Sequence, residues 1–295
     1  MLYLRRRFRL TKRFLYECVA AMSLSPPDFQ FISQLVRERS AIVLEVEKSY
    51  LLEARLTPLA RAEGFASLEG LIGQMRAQPF NGLHRKAVEA MTTNETSFFR
   101  DLHPFEALKN VAIPEILTRR GAERELTIWC AACSSGQEPY TIAMTLMDAF
   151  PELAGWKVKI LATDLSSEMV ARSKAGRYGQ IEVNRGLPAS LLIRYFEKKG
   201  TEWSVKPEVQ KWCEFRELNL IEPWGSMPKL DVVFLRNVLI YFDVETKRSI
   251  LSNVTRVLQP WGYLFLGGAE TTINLGDAFE RVQFDKAGCY RLKGR

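Results

Sequence analysis

The chain has 295 residues, 47% of them hydrophobic and 25% charged, with a formal net charge of +7. That length suits one large domain or two ordinary ones, able to bury roughly 75% of the unfolded surface, and the composition excludes wholesale disorder. No run of 18 apolar residues occurs, which excludes a membrane-spanning helix. A positive balance suggests a polyanion partner. It is unevenly placed, however: residues 1–21 hold Arg5, Arg6, Arg7, Arg9, Lys12 and Arg13 against Glu17, a net of +5, leaving 35 basic and 33 acidic side chains, or +2, elsewhere. Five cysteines, odd in number and mostly isolated, favour a reducing cytoplasm over a disulfide framework.

In chain order, residues 1–24 form a basic extension. Arg5-Arg6-Arg7-Phe8 resembles part of a twin-arginine signal, but Lys12, Arg13 and Glu17 interrupt the apolar stretch that should follow. A basic surface helix is a second reading, and a translation start at Met22 a third and preferred one. Residues 25–92 read as a small helical domain. Phe29, Ile32, Leu35 and Val36 recur at helical spacing, as do Leu51, Leu52, Leu56 and Leu59, with Gly64, Gly70, Gly73 and Pro79–Gly82 as punctuation. From residue 126 the pattern becomes strand alternating with helix. Leu126–Cys133, Lys157–Leu165, Cys213–Leu220, Leu230–Leu235 and Gly262–Leu266 read as strands, and Glu138–Phe150 and Glu168–Ala175 as helices. This predicts an α/β fold with a doubly wound, mostly parallel sheet over 93–295. Residues 176–212, rich in Gly and Pro, break the rhythm as either an inserted hairpin or a long loop.

Ligands of open α/β sheets bind at the carboxyl ends of the strands. Four predicted strands end in polar groups: Cys133-Ser134-Ser135-Gly136-Gln137-Glu138, Thr163-Asp164, Asn219-Leu220 and Leu235-Arg236-Asn237. Asp164 lies 28 residues after Gly136 and is placed to accept both hydroxyls of a ribose, or to cap the following helix. Ser135-x-x-Glu138 spells a capping box, and a carboxylate there equally suits a ligand ammonium. A first turn with one glycine, Gly136, lacks the pyrophosphate cradle of a dinucleotide site. Ribose recognition without that cradle points to a nucleoside-type cofactor such as S-adenosylmethionine. Cys130 and Cys133 have no second pair and only His84 and His103 to join them, so they read as small buried hydrophobes rather than metal ligands. The stretch 91–108, MTTNETSFFRDLHPFEAL, is the densest polar-aromatic cluster and exceeds what one helix cap requires.

The stretches MTTNETSFFRD, WCAACSSGQEPYTIAM, ILATDLSSEMV and FLRNVLIYFD together resemble CheR-type chemotaxis receptor methyltransferases, from about Ser25 to the C-terminus. The resemblance implies a Rossmann-like S-adenosylmethionine-dependent methyltransferase domain, a small all-helical N-terminal domain and an inserted antiparallel β-subdomain at about 176–212. It implies methyl esterification of receptor glutamates, with S-adenosylhomocysteine as product. By position it assigns Asn94, Thr96 and Arg100 to the cofactor loop, Glu138 to the methionine amino group and Asp164 to the ribose. Asn219, Leu220, Leu235 and Arg236 fall around the adenine end, and Tyr241 and Arg100 near the transferred methyl. Partners implied are the cytoplasmic helical domain of methyl-accepting chemoreceptors, with Arg37, Arg39, Lys48, Arg55 and Arg61 as candidate contacts. No nucleic acid or membrane insertion is implied, and the chain is expected to be a cytoplasmic monomer. One departure stands out. EKKGTEWSVKP is about three residues shorter than the glycine-bracketed loop of members that dock on a receptor's C-terminal peptide tether, so tether-independent binding is expected. The rival readings are a methyltransferase of another substrate class, a non-catalytic receptor-binding module and, disfavoured by the single glycine, a dinucleotide oxidoreductase.

Overall fold

The computed structural model describes residues 24–284 and 286–294. The readings of residues 1–21 and of Met22 as a start lie outside them. The chain divides into two units between Thr93 and Asn94.

Among the described residues the first unit has four α-helices, Pro26–Ser40, Ser49–Ala62, Leu68–Arg76 and Gly82–Ala90, with a 3-10 turn at Val46–Lys48. Their apolar stripes meet in a core of Ile32, Val36, Leu52, Leu56, Leu71, Ile72 and Val88, all 3% exposed or less. Caps set the boundaries: Ser25 accepts the Asp28 N–H, and Ser67 accepts that of Gly70. Gly64 ends a helix at φ 81°, but Gly70 and Gly73 lie inside Leu68–Arg76 rather than between helices. Leu24, assigned above to the extension, is 1% exposed and donates its N–H to Glu53. Arg55 is committed inside the unit, donating to the carbonyls of Met91 (2.6 Å) and Thr92 (2.9 Å).

The second unit is built on a seven-stranded sheet. In chain order its strands are β1 (Glu125–Ala131), β2 (Lys157–Asp164), β6 (Cys213–Glu217), β7 (Leu230–Leu235), β8 (Leu258–Leu266), β9 (Phe279–Arg281) and β10 (Gly288–Leu292), arranged β6-β2-β1-β7-β8-β10-β9. The first five in that order pair in parallel, and β10 is antiparallel to both neighbours. Helices cover a parallel sheet on both faces, so its central strands are mostly apolar, and all six residues of β7 are buried, Asp231 among them, where it accepts the Thr127 N–H and pairs with Arg120. From β1 the chain runs outward through β2 to β6, then returns to β7 on the other side. The topological switch point therefore lies between the carboxyl ends of β1 and β7, where such sheets bind ligands.

Residues 176–212 form a separate antiparallel sheet of β3 (Arg177–Gly179), β4 (Phe196–Lys199) and β5 (Glu202–Val205), ordered β3-β5-β4. The insert is thus a subdomain and not a loop. Lys199 pairs with Glu202 across a two-residue turn in which Gly200 has φ 63°.

Candidate active site

The turn after β1 begins the site. Ala132, Ser134 and Gly136 all have positive φ, 52°, 50° and 90°. At Gly136 an added Cβ would sit 2.9 Å from Ser173 Oγ and 3.0 Å from the Tyr178 hydroxyl, so only glycine fits. Surrounding elements hold this unusual backbone in place. Ser173 Oγ donates to the Ser134 carbonyl (2.8 Å), Tyr178 OH to that of Ser135 (2.7 Å), and Ser134 Oγ to that of Asn94 (2.7 Å). Positive φ recurs at Phe99, Asp101 and Asn237, which lie in the other two segments of the site. Backbone strain of this kind persists where the surroundings over-determine it, and it gathers at functional sites.

Asp164, 6% exposed, ends β2, and its carboxylate accepts the Ser134 N–H (2.7 Å) and the Ser166 N–H (2.9 Å). It is not the helix cap: Ser166 is, accepting from Met169. The acid instead joins the β1 and β2 turns at the sheet's rim. Beside it, the Leu218 N–H donates to the Asp164 carbonyl, which brings Asn219 and Leu220 alongside. Asn219 shapes its own loop, accepting from the Ile221 N–H and donating to Glu222.

Residues 94–101 cross the top of the sheet as a strap. Phe98 is fully buried, edge-on to Tyr178 and Phe196 of the insert at 5.0 and 5.6 Å between centroids. Gly186 lets the strap seat, since a Cβ there would meet the Phe98 carbonyl oxygen at 2.1 Å. Glu95 pairs with Arg185 at 2.5 Å, and Arg100 donates to the Glu95 carbonyl. Thr96 is half-buried in the same segment.

The strap's far end meets a buried cation. The Arg236 side chain, 1% exposed, pairs with Glu138 (2.5 Å) and Asp101 (3.0 Å) and donates to the Arg100 carbonyl (2.9 Å). Glu138 also accepts the Cys130 thiol (3.1 Å), and burial pushes that thiol, like Cys133, well above its ordinary pKa. Glu138 is therefore no capping-box partner: Gly136 takes the cap position, with no side-chain cap bond. Its partner comes from 98 residues away. Arg236 sits at this knot, and Leu235 before it is fully buried. Among the described residues no group of three or more His, Cys, Asp or Glu could hold a metal.

Tyr241 closes the 3-10 turn Leu239–Tyr241 after β7. Glu270, 9% exposed, shapes that loop by accepting the N–H groups of Gly267 (2.7 Å), Asn237 (2.8 Å), Val238 (2.9 Å) and Ile240 (3.3 Å). Asp101 and Glu270 both went unread in the sequence. The strand-end test that selected the other residues would have found Glu270 had it been carried to the fifth strand, where Gly267-Gly268-Ala269-Glu270 follows Leu266.

Two family models cover the chain: "CheR methyltransferase, SAM binding domain" matches residues 94–287, and "CheR methyltransferase, all-alpha domain" matches 27–92. The chain belongs to the CheR methyltransferase family. It is 44% identical over 279 residues to chemotaxis protein methyltransferase 1 of Pseudomonas aeruginosa, covering 92% of this chain and 100% of that protein. To chemotaxis protein methyltransferase Cher2 of Pseudomonas putida it is 42% identical over 277 residues, again covering 92% and 100%. A chemotaxis protein methyltransferase of Vibrio parahaemolyticus is 38% identical over 278 residues, covering 93% and 100%.

As a CheR methyltransferase the chain uses S-adenosylmethionine. The residues at the switch point fit that molecule in kind. Carboxylates at the carboxyl end of β2 and at the head of the β1 helix, Gln137–Ala149, suit a ribose and an ammonium. Arg100 suits a carboxylate, and the single-glycine turn leaves no phosphate cradle.

Proposed function

We propose that this protein forms methyl esters on glutamate side chains of methyl-accepting chemoreceptors, so adjusting their signalling in the cytoplasm. The observation that carries the reading is the meeting of the 94–101 strap, the β1 turn, Asp164 and the β7 loop at one switch point. Asp164 would receive the ribose and Glu138 the methionine ammonium, with Asn94, Thr96 and Arg100 closing over them. Asn219 and Leu220 would border the adenine, together with the backbone at Leu235. Arg236 would act through Glu138, aiming its carboxylate.

The bound cofactor supplies a sulfonium methyl for in-line displacement. The nucleophile is the substrate carboxylate, which has a free pKa of about 4.3 and is already ionised at neutral pH. No general base is needed, so the chain contributes positioning and electrostatics. Arg100 would fix a carboxylate and Tyr241 would orient the reacting group. The test is incubation with labelled S-adenosylmethionine and membranes bearing candidate receptors. Base-labile label on receptor is expected, with turnover reduced at least tenfold in Arg100→Ala and several-fold in Tyr241→Phe. Label in nucleic acid, or near-normal rates in both variants, would sink the assignment.

Receptor binding would be independent of a C-terminal tether and made by a monomer. The two-residue turn at Gly200 supports the tether independence, because it leaves no extended loop between β4 and β5. Calorimetry with a receptor-tail pentapeptide should record no binding, and micromolar affinity would refute it.

A further inference from the structure

Leu239 and Ile240, the two residues before Tyr241, line a surface hollow of about 470 Å³. Its walls are Leu239 and Ile240 of the 3-10 turn, the first two turns of the helix Val244–Val257 and the segment 269–275 after β8. Three large apolar side chains stand open to solvent there: Ile240 (48%), Val244 (49%) and Ile273 (71%). Isolated exposed apolar residues are commonplace, but several sharing one hollow beside a catalytic centre mark a contact surface. Val244, Lys247 and Arg248 are spaced at i, i+3 and i+4 and so share one helix face, placing two cations against the apolar patch. The only carboxylate in the lining is Glu270, which is already bonded to four backbone N–H groups.

We propose that this hollow docks the acidic amphipathic helix that carries the substrate glutamate. The proposal rests on the glutamate-esterification reading and extends it by naming the surface that selects the substrate. Three features favour a helix over an extended peptide. Along the wall the N–H groups of Ile240, Ile273 and Leu275 are already taken, by Glu270, the Thr271 hydroxyl and the Thr272 carbonyl, which leaves no continuous row of backbone donors for strand addition. The hollow lies at the carboxyl ends of β7 and β8, inside the sheet order, away from the edge strands β6 and β9. An apolar patch flanked by cations complements a helix with one apolar face and carboxylates beside it. Such a helix must carry at least one carboxylate, the one that reacts at Tyr241.

The test uses the full chain and the purified cytoplasmic fragment of a methyl-accepting chemoreceptor. Fragment binding is followed by fluorescence anisotropy, and base-labile methyl transfer separately. In Val244→Ser/Ile273→Ser the Kd for the fragment should weaken about tenfold or more, since truncating apolar anchors removes most of an interface's binding energy. Lys247→Glu should weaken it a few-fold and flatten its salt dependence. Turnover at saturating fragment, affinity for S-adenosylmethionine and melting temperature should stay near wild type, which separates lost docking from a damaged fold. Unchanged binding in both variants, while the wild type methylates the fragment, would overturn the docking surface and leave the esterification reading standing. A wild type that binds the fragment but leaves no base-labile label would fail the esterification reading, with docking still judged by the variants. Sedimentation showing wild-type dimers that Ile273→Ser dissolves would assign the hollow to self-association and overturn the proposal.

Discussion

Glu138 and Glu270 flank the same loop after β7, and they hold it by different means. Glu138 takes a charge: Arg236 reaches it from that loop and also grips Asp101 and the Arg100 carbonyl, so one guanidinium joins the strap, the β1 helix and β7. Glu270 takes no charge, and its two oxygens collect four backbone N–H groups. The first arrangement ties distant segments together and depends on a single buried cation. The second sets the path of one loop and is shared over several bonds. Loss of the first should therefore cost stability and function together, whereas weakening the second should cost function with little stability.

The largest effect is expected at the knot. Arg236→Met fills similar volume but leaves Glu138 without its cation, facing only the Cys130 thiol, and the Arg100 carbonyl without a donor. Removing one member of a buried ion pair costs about 3 kcal/mol, which lowers the melting temperature by roughly 6–12 °C in a protein of this size. Scanning calorimetry of the full chain measures this. S-adenosylmethionine binding should fall as well, because the strap and Glu138 lose their common anchor. The double variant Glu138→Gln/Arg236→Met should recover part of the stability, since no uncompensated charge then remains. A single variant melting within a degree of wild type would mean that the knot is ornamental to the fold.

The two carboxylates also mark where sequence reasoning stops. The parallel strands were legible because burial on both faces leaves short apolar runs, as in Val232–Leu235 of β7. β9 and β10 were not read, being short strands at the antiparallel end of the sheet. The strands of the insert, three or four residues long, carry too little pattern to tell a sheet from a loop. Local spacing rules then mislead at Glu138. Ser135-x-x-Glu138 has the form of a capping box, yet a glycine takes the cap and the glutamate turns inward to an arginine far along the chain. Asp164 shows the same limit, since a cap and a rim acid look alike until Ser134 is seen to donate to it. Strand-end position fares better than local motif, because topology, not neighbouring sequence, brings strand ends together.

Glu270→Gln sharpens the comparison by a smaller change. The amide keeps the shape of the carboxylate and one accepting oxygen, but it turns an NH2 group toward two backbone N–H donors. One or two loop bonds weaken while the remainder persist, and water can reach the exposed Ile240 end, so the melting temperature should move by only a degree or two. The Tyr241 turn loses its fixed path. Displacements near 1 Å at a positioning group cost up to about 10²-fold in rate, and a partial loosening should cost about tenfold in kcat. Affinity for S-adenosylmethionine should hold, because the strap, Asp164 and the Arg236 knot are untouched. The discriminating measurement is kcat at saturating cofactor beside a cofactor titration on the same preparation. A drop in kcat alone marks Glu270 as a positioning residue for the substrate side of the site. Parallel losses of cofactor affinity and melting temperature would instead make it a second structural knot, and the contrast with Glu138 would collapse.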